Sequence, residues 1–571
     1  MIKLLYYKHA TFYMKRNNYL YIFIILILGI LLRLYSIDKA EGLWNDEYVS
    51  WFIASQDNVK DFFHNMITNC HMPLYYLYIK FWLLLFPDTD VSLRISSVIP
   101  SVLSIITMFF IGKEFKNEKL GYTCSFLMAI NSFSIYFAQE VRLYSLLILF
   151  SSLSCLYFIK TAKNTTNKNI NLFLLSNFLI CITHTIGILF SFFNIGFLTY
   201  YLFKNNEDIE TKIKEIILNK KNIIITIIAL LLILPFAINI AFSKNLSQFW
   251  SDFSITKIFC TFIDYLSPIQ TNIINTKQHI LDYFMWTDYP NKTFIIYGFL
   301  PFLIGFIAII KALLQKDKII NELSKTICCF FLSLVVFAII GKIVLITKYS
   351  AEIFPILILL MAIGFNSFKF KKIGAILLLS FITLNLNYLY SNSNSAPKKV
   401  RAEGNKIVVD ILEQAEIKDS DYVLLTYYDK TKFDRYLTTK ANIDSIDKLN
   451  FHIKLFNNED YHNLIRNGKE TKREFFEKKQ DKTIYDFCEK SYKNNLKKGD
   501  KIALVFLDSV SFINETQLNE IVKNNEEYKN TSFIFLLFSK IKSELNNYFN
   551  KELTFKNTIK KGAWSIYIYE K

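Results

Sequence analysis

The sequence predicts an all-α polytopic membrane domain of about 11 transmembrane helices, with interfacial helices in its outside loops, followed by a C-terminal α/β soluble domain. Three observations predict it. The 571 residues are 52% hydrophobic and 16% aromatic, too apolar for a soluble chain with one core. Apolar runs long enough to cross a bilayer recur between residues 19 and 390, with lysine clusters between them. After Ser391 the texture turns polar and charged, with short β-like runs separated by helical patterns.

The charge balance narrows the partners. A formal charge of +17 would suit nucleic acid if the lysines lined one face, but they fall in short clusters between apolar runs, as in cytoplasmic loops. The expected partner is therefore a lipid bilayer and not nucleic acid. Of the eight cysteines, Cys124, Cys155, Cys181, Cys328 and Cys329 lie inside apolar runs, where a thiol acts as a small hydrophobe. No spacing suggests a zinc site or a disulfide framework, although Cys70 and Cys260 fall on the same expected side and leave one bridge open.

The first span, Tyr19 to Tyr35, follows Lys3, Lys8, Lys15 and Arg16, which places the N-terminus in the cytoplasm. No small-residue cleavage site follows, so the segment reads as a retained anchor. Residues 37 to 93 form a long outside loop. Within it, Pro73 to Phe86 has only 14 residues, contains Lys80 and starts at a proline, whereas a span needs about 20 residues. It reads as an interfacial helix.

Spans two to four follow at about 94–112, up to Phe137, and about 143–159, and spans five and six turn around near His184. Lys113, Lys116 and Lys119, then Lys160, Lys163 and Lys168, then Lys204 and Lys212 mark their inside ends. The seventh span, about 222–242, opens a second outside loop of roughly 243–293 that holds Trp250, Asp264, Trp286 and Asp288. The eighth ends at Lys311, Lys316 and Lys318, and the last three run about 326–341, 349–366 and 373–390. Every lysine cluster then falls on one side, and the odd count puts the C-terminal domain outside. The domains divide as 1–392 and 393–571. In the second, β-like runs at Tyr422–Tyr427, Ile502–Phe506, Phe533–Phe538 and Trp564–Tyr569 alternate with helical patterns around Val400–Ala415 and Glu515–Tyr528.

The candidate chemistry sits in the outside segments. Leu43-Trp44-Asn45-Asp46-Glu47-Tyr48-Val49-Ser50-Trp51 places an acidic pair between aromatic residues just after the first span. Two carboxylates beside a bilayer can act as a base and its helper, or as hard ligands for a cation. A solvated loop is the competing reading. His71-Met72-Pro73-Leu74-Tyr75-Tyr76 sets an imidazole ahead of the interfacial helix, where an ordinary solvated histidine is about as good an account. Ala138-Gln139-Glu140-Val141-Arg142-Leu143-Tyr144, between spans three and four, pairs a carboxylate with a guanidinium that is able to reach a phosphate or simply to anchor a helix end. Lys348-Tyr349, followed by Glu352 and Pro355, supplies a cation that is either a phosphate contact or a snorkelling lysine. His184, beside Thr183, reads as a satisfied interfacial histidine.

The order of these features resembles one family. An Asp-Glu pair, then His-x-Pro-Leu-Tyr-Tyr, then Leu93-Arg94-Ile95 opening a span that ends at Gly112-Lys113, then Gln139-Glu140-x-Arg142-x-Tyr144, is similar to the GT-C glycosyltransferases of the protein-mannosyltransferase and aminoarabinose-transferase type, glycosyltransferase family 39-like. The likeness covers about residues 20 to 160, with echoes at Thr183-His184 and Lys348-Tyr349. The resemblance implies a bacterial plasma-membrane enzyme that moves a sugar, with inversion, from a polyprenyl-phosphate donor to an extracytoplasmic glycan, lipid or protein. It puts Asp46 on the family's catalytic carboxylate, Glu47 beside it and Glu140 as the second-loop acid. His71, Arg142, Lys348 and Tyr349 would surround the lipid phosphate. Two positions depart from the family: His71 stands where aminoarabinose transferases carry lysine, and Lys348 where arginine is frequent. Nothing carries over to the domain after Ser391.

No cofactor is required by these motifs. Any metal would be a hard divalent cation, Mg or Mn, on carboxylates such as Asp46 and Glu140. Two alternatives from other classes stand beside this expectation. A transporter would carry acids near the bilayer midplane, where these spans have almost none. A catalytically inactive anchor displaying a C-terminal binding domain would have no need of the acidic pair.

Overall fold

The computed structural model describes residues 20–38, 42–68, 72–205, 255–269, 295–340 and 347–391 of the apolar part, 405–425, 442–445, 488–493, 495–507, 533–561 and 564–571 of the polar part, and a few single residues between. The chain forms two compact units, Met1–Asp38 with Val49–Lys399, and Lys39–Tyr48 with Val400–Lys571. The segment Lys39–Tyr48, which the sequence places in the domain 1–392, thus groups with the second unit.

The first unit is helical. It begins with α1 (Leu20–Leu34), α2 (Asn45–Ser55), α3 (Val59–Thr68) and α4 (Pro73–Leu85). Next come α5 (Asp90–Phe115), α6 (Glu118–Ile130), α7 (Ser132–Ala138), α8 (Tyr144–Lys163), α9 (Asn167–Thr183) and α10 (Gly187–Asn205). It continues with α11 (Ile255–Leu266), α12 (Ile295–Leu313), α13 (Lys318–Ile339), a 3-10 segment (Thr347–Ile353) that leads into α14 (Phe354–Asn366), and α15 (Lys371–Ser391). Seven of the described stretches are long and apolar enough to cross a bilayer, and eight if the bent pair α6 and α7 is one span. The chain is a multi-pass membrane protein, and side chains such as Phe192, Leu332 and Leu379 stand exposed as lipid-facing groups do.

Ten of the eleven expected spans coincide with described helices, and the seventh, about 222–242, lies largely outside the described residues. The third span differs in form. It breaks at Asn131 with a bend of 58°, because the Asn131 side chain accepts from the backbone N–H groups of Phe133 and Ser134 and so caps a new helix where the old one ends. Pro73–Leu85 is a separate 13-residue helix, as its proline start requires. Asp264 of the second outside loop lies on α11, whereas Trp250, Trp286 and Asp288 lie outside the described residues, as does Cys70 of the conceivable bridge.

Spans pack closely where glycine allows it. A Cβ added at Gly112 of α5 would lie 2.6 Å from the Gly121 nitrogen of α6, and one at Gly364 of α14 would overlap the Ala308 carbonyl oxygen of α12. Asn177 of α9 and Asn194 of α10 both donate to the Ser154 hydroxyl of α8, at 2.9 and 2.8 Å, so amides bridge three helices inside the apolar core.

The second unit holds a five-stranded sheet of β1 (Tyr422–Leu425), β2 (Asn442–Ser445), β3 (Lys501–Leu507), β4 (Thr554–Lys561) and β5 (Trp564–Glu570), in the order β2-β1-β3-β5-β4. The β1–β2 and β1–β3 pairs are parallel; the β3–β5 and β4–β5 pairs are antiparallel. Alternate residues Val423, Leu425, Ala503, Val505, Trp564, Ile566 and Ile568 form one apolar face, covered by Ile407, Val408, Ile411 and Leu412 of α16 (Asn405–Gln414). On the other face, Phe549 of α17 (Phe533–Glu552) packs on the rings of Tyr492 and Tyr569 at 5.7 and 5.8 Å. The expected strand Phe533–Phe538 is instead the start of α17. A short apolar run fits either element, and the burial of Leu545, Tyr548 and Phe549 at spacings of three and four residues shows which period continues it. The polar edge strand β4 carries no apolar run and forms by pairing with β5. The helical pattern Glu515–Tyr528 lies outside the described residues.

Candidate functional site

The site in the first unit is built on Arg33. The apolar run of α1 buries this guanidinium completely, so every donor must find an acceptor. Nε donates to the Ser101 hydroxyl at 2.7 Å; Nη1 donates to the Gly29 and Ala129 carbonyls at 3.0 and 2.9 Å; Nη2 donates to the Met128 carbonyl and the Ser134 hydroxyl at 3.1 and 2.7 Å. The two carbonyls at the end of α6 are those freed by the break at Asn131, and Arg33 replaces the helical donors they lost. Sequence reasoning did not single out Arg33. Its signal was a lone cation inside an apolar run.

The acidic turn rests on this frame. The Gln139 amide donates to the carbonyls of Arg33 and Tyr35 at 2.9 and 2.8 Å, the Ser97 hydroxyl donates to the Glu140 carbonyl at 2.6 Å, and the Arg142 N–H donates to that same carbonyl at 2.8 Å. Glu140 and Arg142 are therefore held by their backbones, 2% and 7% exposed, which a solvated loop would not be. Arg142 Nη1 donates to the Ser50 hydroxyl of α2 at 3.3 Å.

Asp46 and Glu47 occupy the first turn of α2. The Trp44 N–H donates to the Glu47 carboxylate at 3.3 Å, and the Tyr48 N–H donates to the Trp44 carbonyl at 2.8 Å, so Glu47 makes the return bond of a capping box. The Leu43 N–H donates to the Tyr436 hydroxyl at 2.9 Å within the second unit. Glu47 is fully buried while Asp46 is half-buried.

The 3-10 segment Thr347–Ile353 carries Lys348 and Tyr349. Two residues of α11 hold its start: Thr347 donates to Asp264 at 2.5 Å, and the Tyr265 hydroxyl donates to the Thr347 carbonyl at 2.9 Å. Burial pushes the Tyr265 phenol well above its ordinary pKa, so it remains a donor. The Lys348 ammonium lies 5.7 Å from the centre of the Tyr349 ring. His184, at the end of α9, packs its ring 6.3 Å from that of Tyr144 and 6.1 Å from that of Tyr349, and bonds Glu352 at 2.7 Å. The structure thus joins the start of α8, two residues past Arg142, to the Lys348–Tyr349 segment through His184. His71 lies outside the described residues. Asp46 groups with the second unit and Glu140 with the first. Among the described residues, no group of three His, Cys, Asp or Glu is arranged to hold a metal.

No family model matches the sequence, and no curated protein is similar to it in sequence. Solved structures do resemble its fold. ArnT from Cupriavidus metallidurans bound to undecaprenyl phosphate superposes with a TM-score of 0.52 over 95% of this chain and 97% of that one, at 9% identity. The fold is GT-C. The apo form of the same protein matches over 98% of both chains with a TM-score of 0.51 and 10% identity. A weaker likeness, with a TM-score of 0.47 at 11% identity, joins 88% of this chain to 70% of the Archaeoglobus fulgidus oligosaccharyltransferase. The GT-C fold agrees with the architecture the motifs imply, a bundle of membrane helices followed by a C-terminal soluble domain.

Proposed function

We propose that the chain is a membrane glycosyltransferase that moves a sugar from a polyprenyl-phosphate donor to an extracytoplasmic glycan, lipid or protein, with inversion and with Asp46 as base. The observation that supports it best is the buried turn Glu140–Arg142, linked through Tyr144 and His184 to the Lys348–Tyr349 segment on a fold shared with a protein crystallised with undecaprenyl phosphate. In this reading Arg142, Lys348, Tyr349 and His71 receive the charge of the leaving phosphate. Asp46 takes the proton of the acceptor hydroxyl as its oxygen forms a bond to the anomeric carbon, and the bond from that carbon to the phosphate oxygen breaks. Glu47, as the capping group, holds the helix turn that presents Asp46, and Glu140 is the second acid. The membrane domain 1–392 would carry the chemistry and 393–571 would stand outside the cell membrane, with the N-terminus inside.

The test is transfer from a labelled polyprenyl-phosphate sugar by purified protein, with a membrane extract supplying acceptor. No transfer by wild type across a panel of such donors, together with no binding of undecaprenyl phosphate, would end the proposal. A divalent cation, Mg or Mn, suits carboxylate ligands but needs more of them than two acids supply. Turnover that persists after exhaustive chelation would remove it from the mechanism.

A further inference from the structure

We infer that His184 and Glu352 form a clasp that positions Lys348 and Tyr349 for a lipid phosphate, an inference that rests on the donor site proposed above. The segment carrying those two residues is irregular: Ser350 leaves helical geometry at φ −123° and ψ 22°. Its first residue is held from α11, and its last turn carries Glu352. That carboxylate is fully buried, and His184 Nδ1 lies 2.7 Å from its Oε1 while Oε2 has no hydrogen-bond partner among the described residues. His184 is itself fixed. It ends α9, with its N–H donating to the Ile180 carbonyl at 3.0 Å, and its ring packs near those of Tyr144 and Tyr349.

Tyr349 and Glu352 flank the irregular Ser350, and His184 meets both, its ring 6.1 Å from the Tyr349 ring and its Nδ1 2.7 Å from the Glu352 carboxylate. One imidazole therefore holds the carboxylate and packs near the ring, and the ring in turn lies beside the Lys348 ammonium. A carboxylate placed here without a partner would oppose binding of an anion nearby. The bond to His184 ties down this acidic group and sets the direction of the turn together. His184 and Glu352 are positioning residues and not catalytic ones.

The probe is undecaprenyl phosphate binding to the full chain in nanodiscs, with melting temperature recorded for each variant. Glu352→Ala and His184→Ala should each weaken binding about tenfold, as loss of one charge-assisted contact would. The double variant should be no weaker than either single one, because the two act as one unit. Glu352→Gln keeps a hydrogen bond to the imidazole and should restore most of the affinity, whereas Glu352→Met, of similar size but unable to hold that bond, should not, and equal affinity in the two would reduce Glu352 to a space-filling role and overturn the clasp. Wild-type binding by Glu352→Ala while Lys348→Ala binds weakly would overturn the clasp and leave the donor site standing. Wild-type binding by both Lys348→Ala and Arg142→Ala would overturn the donor site instead. If Glu352→Ala fails to fold, His184→Asn, too short to reach Glu352, replaces it, and wild-type affinity in that variant sinks the inference.

Discussion

Asp46 and Glu47 are neighbours in a dipeptide, yet the backbone gives them different work. Glu47 closes the first turn of α2 by accepting from Trp44, whereas Asp46 is half-buried in that same turn. Asp46→Asn keeps shape but removes basicity, so transfer should fall about 10²- to 10⁴-fold while undecaprenyl phosphate still binds. Transfer at the wild-type rate would show that the acidic pair is only a helix start. Arg142→Ala should produce the complementary result, weaker phosphate binding, measured on the same preparation. The residue types of this site were readable in the sequence, because an acidic pair or a Glu-x-Arg beside apolar runs stands out. Arg33 and the His184–Glu352 bond were not, since each depends on residues dozens to more than a hundred positions away.

At the scale of elements, the break between α6 and α7 is held by one side chain from another helix. Arg33→Lys keeps the charge but offers three donors where five acceptors wait. Each buried acceptor left alone costs about 1–3 kcal/mol, so the melting temperature in detergent should drop by several degrees. An unchanged melting temperature would mean that the break does not need Arg33. Helix contacts make a second case. Gly364→Ala drives a methyl into the Ala308 backbone and should destabilise by about 1–3 kcal/mol. Gly196→Ala meets nothing within 4 Å and should be neutral or better, since alanine favours helix. Detergent melting curves of the pair measure how much the close approach of α12 and α14 contributes to stability.

For the whole molecule, the lysine pattern predicts a sidedness that labelling can check. Cysteines introduced near Lys316 should resist an impermeant maleimide in intact cells, and cysteines introduced at exposed sites of 393–571 should react. The reverse pattern would invert the topology. Within the second unit, burial, with a smaller contribution from Glu489, pushes the Cys488 thiol up to about 12. It stays protonated at neutral pH, so iodoacetamide followed by peptide mapping should modify Cys488 only after denaturation. Prompt modification in the native protein would show that this core opens.

Hydropathy and charge in the sequence by themselves determined the places of the described spans, because a bilayer forces each crossing to satisfy its backbone within one helix. They also marked Asp46, Glu140, Arg142 and Lys348 as candidates. Only the tertiary structure decided the grip of Arg33 on the break at Asn131, the helical state of Phe533–Glu552 and the clasp of His184 on Glu352. The reason is physical. A break, an ambiguous apolar run and a buried polar side chain each take their state from partners distant in sequence, and no local period records which partner will arrive.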